Sequence, residues 1–417
     1  MTHSSYWKKI VGVFSGTAIA QAILLLGSLI IARIYAPDSF GVFATWLGIS
    51  QIVTVGITYR LESAFGLEAD GKTRTELVAV TVAMVLLTGG VLSMLLAVLA
   101  WGIGTLSNQI PAILLWLLIP QSVGMALSLV WESWAANNGD IKKLSIIRIC
   151  QACFIMLMQI AAGVFYPDAA SLAAAQTLAV WFSVLLCVTM MPLRSAMSAV
   201  NSSVMLRLMG HYWKKYRRFP LLALPADLIN TAAAQMPVIL IGSRFGAEIA
   251  GYYALATRMM GAPVALLGGA VRDVFKRAAN EEFRALGHCR SIYQRTFWVL
   301  LGLSLAMVAF VIPFAEKVFS LVFGQQWALA GIMATWLIPR YALGFMASPL
   351  SYTFYVVQKQ NIDLVWQVGL FTMTMLTLLI FDSYRNALLY YSGGYALMYM
   401  LYLGLSWRYC QQPVQRK

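Results

Sequence analysis

The chain has 417 residues, 60% of them apolar and only 11% charged, with a net charge of +14. Soluble domains carry about 25% charged residues, so this composition excludes a soluble multidomain enzyme and points to helices embedded in lipid. The surplus positive charge reads as a topological signal, and no nucleic-acid partner is expected.

A membrane span takes about 20 mainly apolar residues. Twelve such segments follow one another, near 10–33, 39–60, 77–102, 111–135, 146–166, 170–193, 219–243, 248–271, 296–315, 328–357, 362–382 and 386–407. The first follows Lys8 and Lys9, as a signal peptide would, but its apolar core is too long and no small-residue cleavage site follows. It is read as a transmembrane helix. The tenth is long for one span, and Pro339 and Pro349 are expected to kink it. No polar stretch is long enough for a soluble domain.

Basic residues gather at alternate helix ends: Lys8 and Lys9, then Arg60, Lys72 and Arg74, then Lys142, Lys143 and Arg148. The 6–7 connection adds Arg194, Arg207, Lys214, Lys215, Arg217 and Arg218, and the 8–9 connection Arg272, Lys276, Arg277, Arg284, Arg290 and Arg295. Lys359, Arg408, Arg416 and Lys417 complete that side, and only Arg33, Arg244, Lys317 and Arg385 fall on the other. By the positive-inside rule both termini are cytoplasmic. The run HYWKKYRRF, 211–219, reads as a basic anchor with interfacial aromatics, and also as a patch that gathers anionic lipid headgroups.

No Walker loop, dinucleotide fingerprint or His/Asp/Ser constellation appears, so no catalytic centre, metal site or cofactor is expected. His3, His211 and His288 read as tail or loop residues, and Cys150, Cys153, Cys187, Cys289 and Cys410 as small apolar fillers.

The stretch ARIYAPDSFG, 32–41, joins the first two spans. Pro37 and Asp38 read as ending one helix and starting the next, with Asp38, Ser39 or both near an N-cap, while Arg33 snorkels to the headgroups. A shift of 210 residues brings the stretch onto GSRFGAEIAGYYA, 242–254: Tyr35 meets Phe245, Asp38 meets Glu248 and Gly41 meets Gly251. The shift is close to half the chain, which suggests a duplication: a six-helix bundle over 1–205 and a second over 206–417. Parallel repeats of this kind enclose a cavity and alternate its access between the two sides.

Ionisable groups at membrane depth are costly and therefore suggest function. Arg258 shares a helical face with Gly251, Ala254, Gly261 and Ala265, and Arg340 with Gly344, Ala347, Ser348 and Ser351. Asp227 lies among Ala223, Asn230, Thr231 and Ala234, and Gln21 among Thr17 and Ser28. Together they outline a polar lumen. Its arginines suit an anionic substrate, since a guanidinium matches phosphate geometry. Asp227 reads either as an ion-pair partner of Arg258 or Arg340, or as a proton or sodium site. Glu132, beside Trp131 and Trp134, reads as an interface residue, and Arg60 pairs with Glu62.

Several motifs carry a resemblance. ARIYAPDSFGVFATW, WAANNGDIKKLSIIR, AGYYALATRMMGAPVALL and PRYALGFMASPLSYTFYVVQKQ occur in the order and spacing of Wzx-type O-antigen and capsular polysaccharide flippases, within the multidrug/oligosaccharidyl-lipid/polysaccharide exporter superfamily. The resemblance implies an all-α polytopic membrane protein of about 12 helices in two pseudo-symmetric bundles, MATE-like and V-shaped. It implies a transporter, not an enzyme, in the bacterial cytoplasmic (inner) membrane. The cargo would be an undecaprenyl-diphosphate-linked oligosaccharide, carried to the periplasmic leaflet, with Arg258 and Arg340 in a cationic cavity. Membrane lipids, a polysaccharide polymerase and a chain-length regulator are the implied partners. A cation-coupled multidrug antiporter is the alternative, though it calls for more lumen carboxylates than Asp227. A membrane-embedded polymerase or glycosyltransferase is a third reading, disfavoured by the short loops.

Overall fold

A computed structural model describes residues 3–68, 71–102, 111–190, 202–357 and 360–411. Arg194, Lys359, Arg416 and Lys417, which entered the charge count, lie outside them. The described residues are helical with short turns, and none forms a strand. A backbone in lipid must satisfy every N–H and C=O internally, and a run that is apolar all round does so as a helix.

The chain divides into two compact units, Met1–Ile239 and Leu240–Lys417. The first holds α1 (His3–Ile34), α2 (Pro37–Thr58), a 3₁₀ turn (Leu61–Leu67), α3 (Lys72–Gly102), α4 (Ala112–Asn138), α5 (Ile141–Phe165), α6 (Ala169–Met190) and α7 (Ser202–Tyr216). A π turn (Phe219–Ala223) leads into α8 (Leu224–Phe245), which runs on into the second unit. There follow α9 (Ala247–Leu286), α10 (Arg290–Phe323), a 3₁₀ turn (Gln325–Trp327), α11 (Ala328–Leu350), a helical turn (Thr353–Val356), α12 (Gln360–Ile380) and α13 (Tyr384–Cys410).

Among the described residues ten helical segments are long and apolar enough to span a membrane, where the sequence suggests twelve. The two that differ are the last. Helix α12 has 21 residues, of which Val365–Ile380 is the apolar stretch among the described side chains. Helix α13 has 27 residues, but seven tyrosines lower its hydropathy. Pro339 and Pro349 both lie inside α11, which ends one residue after the second.

The junction at 32–41 separates α1 from α2 where the sequence reading places it. The N-cap of α2 is Ala36, and Pro37 occupies the first helical position, where its missing N–H would find no intrahelical partner anyway. Asp38 sits in the first turn, where its charge meets the positive end of the helix dipole. The turn is held by Tyr35, wholly buried, whose hydroxyl donates to the Gln159 carbonyl at 2.7 Å. At the 210-residue shift Ala36 falls on Gly246, which is the N-cap of α9, and Glu248 again stands in the first turn. Gly246 has φ +94, a value that favours glycine.

Packing repeats as well. In the first unit α2 and α3 pack on α4, α4 on α6, and α5 on α6. In the second, α9 and α10 pack on α11, α11 on α13, and α12 on α13. Each unit builds its core at these seams. One is Phe65, Leu77, Val130, Trp131 and Trp134; the other is Phe275, Tyr293, Phe345, Phe354 and Tyr402.

Residues 202–216, part of the basic connection, form an amphipathic helix, so His211 lies in α7 and not in a loop. Tyr212 and Tyr216, four apart, are buried together, while Arg207, His211, Lys214 and Lys215 are exposed.

Candidate functional site

Helix α11 carries Arg340 directly after Pro339, near the middle of a candidate span (Gln325–Val356). Three aromatic rings face its guanidinium. The Tyr395 ring centre is 4.4 Å away, Tyr391 4.9 Å and Tyr341 5.3 Å. Buried Tyr253 of α9 lies beside it as well. The cage is fixed from behind: the Tyr341 hydroxyl reaches the Thr257 carbonyl at 3.4 Å, and Thr374 donates to the Tyr395 hydroxyl at 3.3 Å. Among the described residues no carboxylate lies within ion-pair distance of Arg340.

Each cation–π contact is worth about 0.5–2 kcal/mol, and a central arginine costs about 2.5–3.5 kcal/mol on insertion scales. Three rings together contribute about 1.5–6 kcal/mol, the same order as that cost. Aromatic faces attract a cation without consuming its N–H donors, of which a guanidinium has five, and Tyr253 accepts a hydrogen bond from Arg340.

The glycines beside both arginines serve close packing. A Cβ on Gly344 would lie 3.2 Å from the Tyr399 ring, and one on Gly261 3.7 Å from Tyr341. Arg258, half-buried on α9, belongs to the same pair of packed helices, α9 and α11.

The first unit treats its charges differently. The Asp227 carboxylate, on α8, meets Arg60 Nε at 2.5 Å, and not Arg258 or Arg340 as the sequence suggested. Arg60 also contacts Glu62 at 3.1 Å, the pairing read from the sequence. The chain reaches this arrangement through two consecutive left-handed residues, Tyr59 (φ 53) and Arg60 (φ 58). Non-glycine residues adopt that conformation at a cost of about 1–3 kcal/mol each. Surrounding contacts secure it: the Tyr59 hydroxyl bonds Thr88 at 2.9 Å and its ring meets Trp213 edge-on. Burial pushes the Glu62 carboxyl above its ordinary value, against the pull of Arg60.

A second pair joins α4 to α5. Arg148 reaches both oxygens of Glu132, at 2.7 and 3.3 Å, and donates to Thr17 of α1 at 2.8 Å. The sequence had placed Arg148 in a basic loop and Glu132 at the interface. A third cluster fastens α7. Lys215 donates to Glu68 at 2.6 Å, Tyr216 to the same oxygen at 2.8 Å, and Tyr212 to the Thr73 carbonyl at 3.0 Å. Burial would raise the Glu68 carboxyl, but the Lys215 and Tyr216 hydrogen bonds hold it below its ordinary value.

Of the other residues read as lining a lumen, Gln21 on α1 and Asn230 on α8 are exposed and belong with Asp227 to the first unit. Arg258 and Arg340 belong to the second. The phenols around Arg340 were not singled out, although Tyr391, Tyr395, Tyr399 and Tyr402 repeat at helical spacing and form a visible stripe. Among the described residues no three His, Cys, Asp or Glu side chains are grouped to hold a metal.

A family model described as "Polysaccharide biosynthesis protein" matches residues 30–330. No curated protein matches the chain. Among solved structures, the lipid II flippase MurJ in an inward closed conformation superposes with a TM-score of 0.75 at 12% identity, covering 95% of this chain and 87% of that one. An inward-facing multidrug resistance MATE family transporter of the MOP superfamily gives 0.62 at 13% identity, covering 94% of each chain. A MOP superfamily transporter from Pyrococcus furiosus, described as having a binding pocket of reverse polarity, gives 0.60 at 15% identity over 97% of this chain and 95% of that one. These likenesses establish the fold: the chain is folded as MurJ and MATE transporters are, as the motif resemblance implied.

Proposed function

Since the chain belongs to the polysaccharide biosynthesis protein family, we propose that it is a flippase for lipid-linked oligosaccharide repeat units. The cargo is an undecaprenyl-diphosphate carrier bearing an O-antigen, capsule or exopolysaccharide unit. It passes from the cytoplasmic to the periplasmic leaflet of the inner membrane by alternating access, with both termini of the protein in the cytoplasm. No bond is made or broken, so the protein needs binding groups and not a catalytic centre.

The observation that carries this reading is the caged guanidinium of Arg340 at membrane depth. Phenol rings stabilise the charge, and the N–H donors that Arg340 does not give to Tyr253 can meet a diphosphate, whose oxygens a guanidinium matches in geometry. Arg258, on the helix packed against α11, is the second phosphate-binding group in this proposal. Gln21 and Asn230 offer exposed amides to the glycan. Asp227 is retained as the ion-coupling group: a proton or sodium ion competing for its carboxylate would loosen Arg60 and the turn that Arg60 fixes. Duplicated six-helix halves, 1–205 and 206–417, supply the symmetry for alternating access.

The test is complementation of a strain lacking the gene. Arg340→Ala or Arg258→Ala is expected to abolish surface polysaccharide while the protein still reaches the membrane. Normal polysaccharide in both variants would remove the substrate assignment. A drug-susceptibility panel on the deletion strain separates this reading from drug/cation antiport, which would leave polysaccharide intact.

A further inference from the structure

The second unit carries an apolar groove of about 480 Å³ between the start of α10, the end of α13 and the middle of α11. Its lining changes character along its length. On α10, Gln294, Phe297 and Leu301 line it at three- and four-residue spacing, and Arg290 stands one turn before them on the same helical face, so a cation precedes an amide, an aromatic ring and an aliphatic chain. On α13 the corresponding series is Trp407, Gly404, Leu403 and Met400. The Arg290 guanidinium lies over the Trp407 ring, 5.9 Å from its centre, which holds the cation at the rim.

The walls are preformed. Cys289 N–H donates to the Cys410 carbonyl at 3.2 Å, tying the two helix ends together. The buried Tyr293 hydroxyl bonds Ser406 at 2.6 Å and the Leu403 carbonyl at 3.2 Å. Glu282 carries the nearby negative charge, but both its oxygens accept backbone N–H groups, of Ser291 and Ile292. The floor is open at Gly404, where an added Cβ would meet nothing within 4 Å. Trp298 and Met400 are exposed at the groove's edge, so it opens outward.

We propose that this groove is a binding site for one anionic glycerophospholipid of the surrounding bilayer. The headgroup phosphate sits on Arg290 and an acyl chain lies over Gly404. Length and charge select this occupant. From Arg290 to Leu301 is about 16 Å along a helix, half of a hydrocarbon core of about 30 Å, so the groove runs the depth of one leaflet. A polyprenyl carrier would overrun it. A zwitterionic lipid would leave Arg290 without the net negative charge it is placed to meet. The site does not depend on the flippase reading, and its test does not measure transport.

The full-length protein, purified in detergent, is mixed with equimolar phosphatidylglycerol and phosphatidylethanolamine, and bound lipid is counted by native mass spectrometry. Phosphatidylglycerol is expected to bind about fivefold better, the ratio that one interfacial basic residue supplies. Arg290→Gln should bring that ratio to about one, and Gly404→Leu, which fills the floor, should remove both lipids. Arg290 is exposed, so its variant reports on the site even where Gly404→Leu fails to yield monodisperse protein. Equal binding of the two lipids by the unaltered protein, or an unchanged ratio in Arg290→Gln, would overturn the proposal. So would full retention of lipid by a monodisperse Gly404→Leu protein, or a polyprenyl phosphate outcompeting phosphatidylglycerol.

Discussion

The two units hold similarly connected helices and treat buried charge in opposite ways. In the first, cations near the membrane meet carboxylates: Arg60 has Glu62 and Asp227, Arg148 has Glu132, and Lys215 has Glu68. In the second, Arg340 meets tyrosine rings. A salt bridge consumes the charge of both partners, whereas a cation–π cage leaves the positive charge to act on something else. The lesson is that equal topology does not imply equal electrostatics. Arg60, Arg148 and Lys215 of the first unit are neutralised by carboxylates, whereas Arg340 of the second presents a positive charge that an anion can complete.

The strongest way to break this contrast is to make the second unit resemble the first. Tyr395→Glu would give Arg340 an internal carboxylate in place of its nearest ring. Transport, read as surface polysaccharide, is expected to fall to the level of an empty vector while the protein remains in the membrane. Export at the normal level would mean that Arg340 has no need to face an anion.

A smaller effect is expected from thinning the cage. Tyr395→Leu removes one ring, worth about 0.5–2 kcal/mol, so binding of the lipid-linked substrate should weaken by about 2- to 30-fold. Tyr395→Phe keeps the ring and should stay near the unaltered protein. Equal losses in the two variants would assign the role to the hydroxyl.

In the first unit, the pairing of Arg60 with Asp227 calls for a double-mutant cycle. Arg60→Gln and Asp227→Asn should each destabilise the detergent-solubilised protein by about 1 kcal/mol, since both groups are partly exposed. The double variant should lose less than their sum. Additive losses would show that the pair is not coupled.

The least effect concerns α7. The depressed Glu68 carboxyl contributes stability that is complete above its ordinary range and is lost as pH falls through its lowered value. Protection of the α7 amides, exchange taken relative to the intrinsic rate at each pH, should therefore be unchanged from neutral pH down to the ordinary carboxylate range, and weaker below it. Glu68→Gln should give the weaker protection at neutral pH as well. Acceleration already at neutral pH in the unaltered protein would contradict the Lys215–Glu68 contact.

Fold and helix order were legible because hydropathy alone decides them: apolar runs of span length must be helices. The 210-residue shift was legible too, and it aligns two helix starts, at Ala36 and Gly246. The last helix was legible as well, read at 386–407 and found at Tyr384–Cys410, although Tyr391, Tyr395 and Tyr399 lower its hydropathy. At the site, Arg340 stood out by its charge in an apolar run, but its cage did not, since it draws on α9, α11 and α13. The Asp227 partner was hidden for another reason. Nothing in the sequence at Tyr59 and Arg60 signals two left-handed residues, and that turn is what aims Arg60 at α8. Arg148 was read as a topology marker, and only packing of α5 on α1, with Glu132 on neighbouring α4, makes it a polar bridge.

The central claim is that the positive charge of Arg340 holds the anionic headgroup during transfer. The direct measurement is flipping in proteoliposomes loaded with a lipid-linked oligosaccharide, followed by the access of an added glycan-modifying enzyme to the outer leaflet. The account predicts that Arg340→Ala abolishes transfer at equal protein content, while Arg340→Lys retains a measurable part of it. Transfer by Arg340→Ala at the rate of the unaltered protein would contradict it.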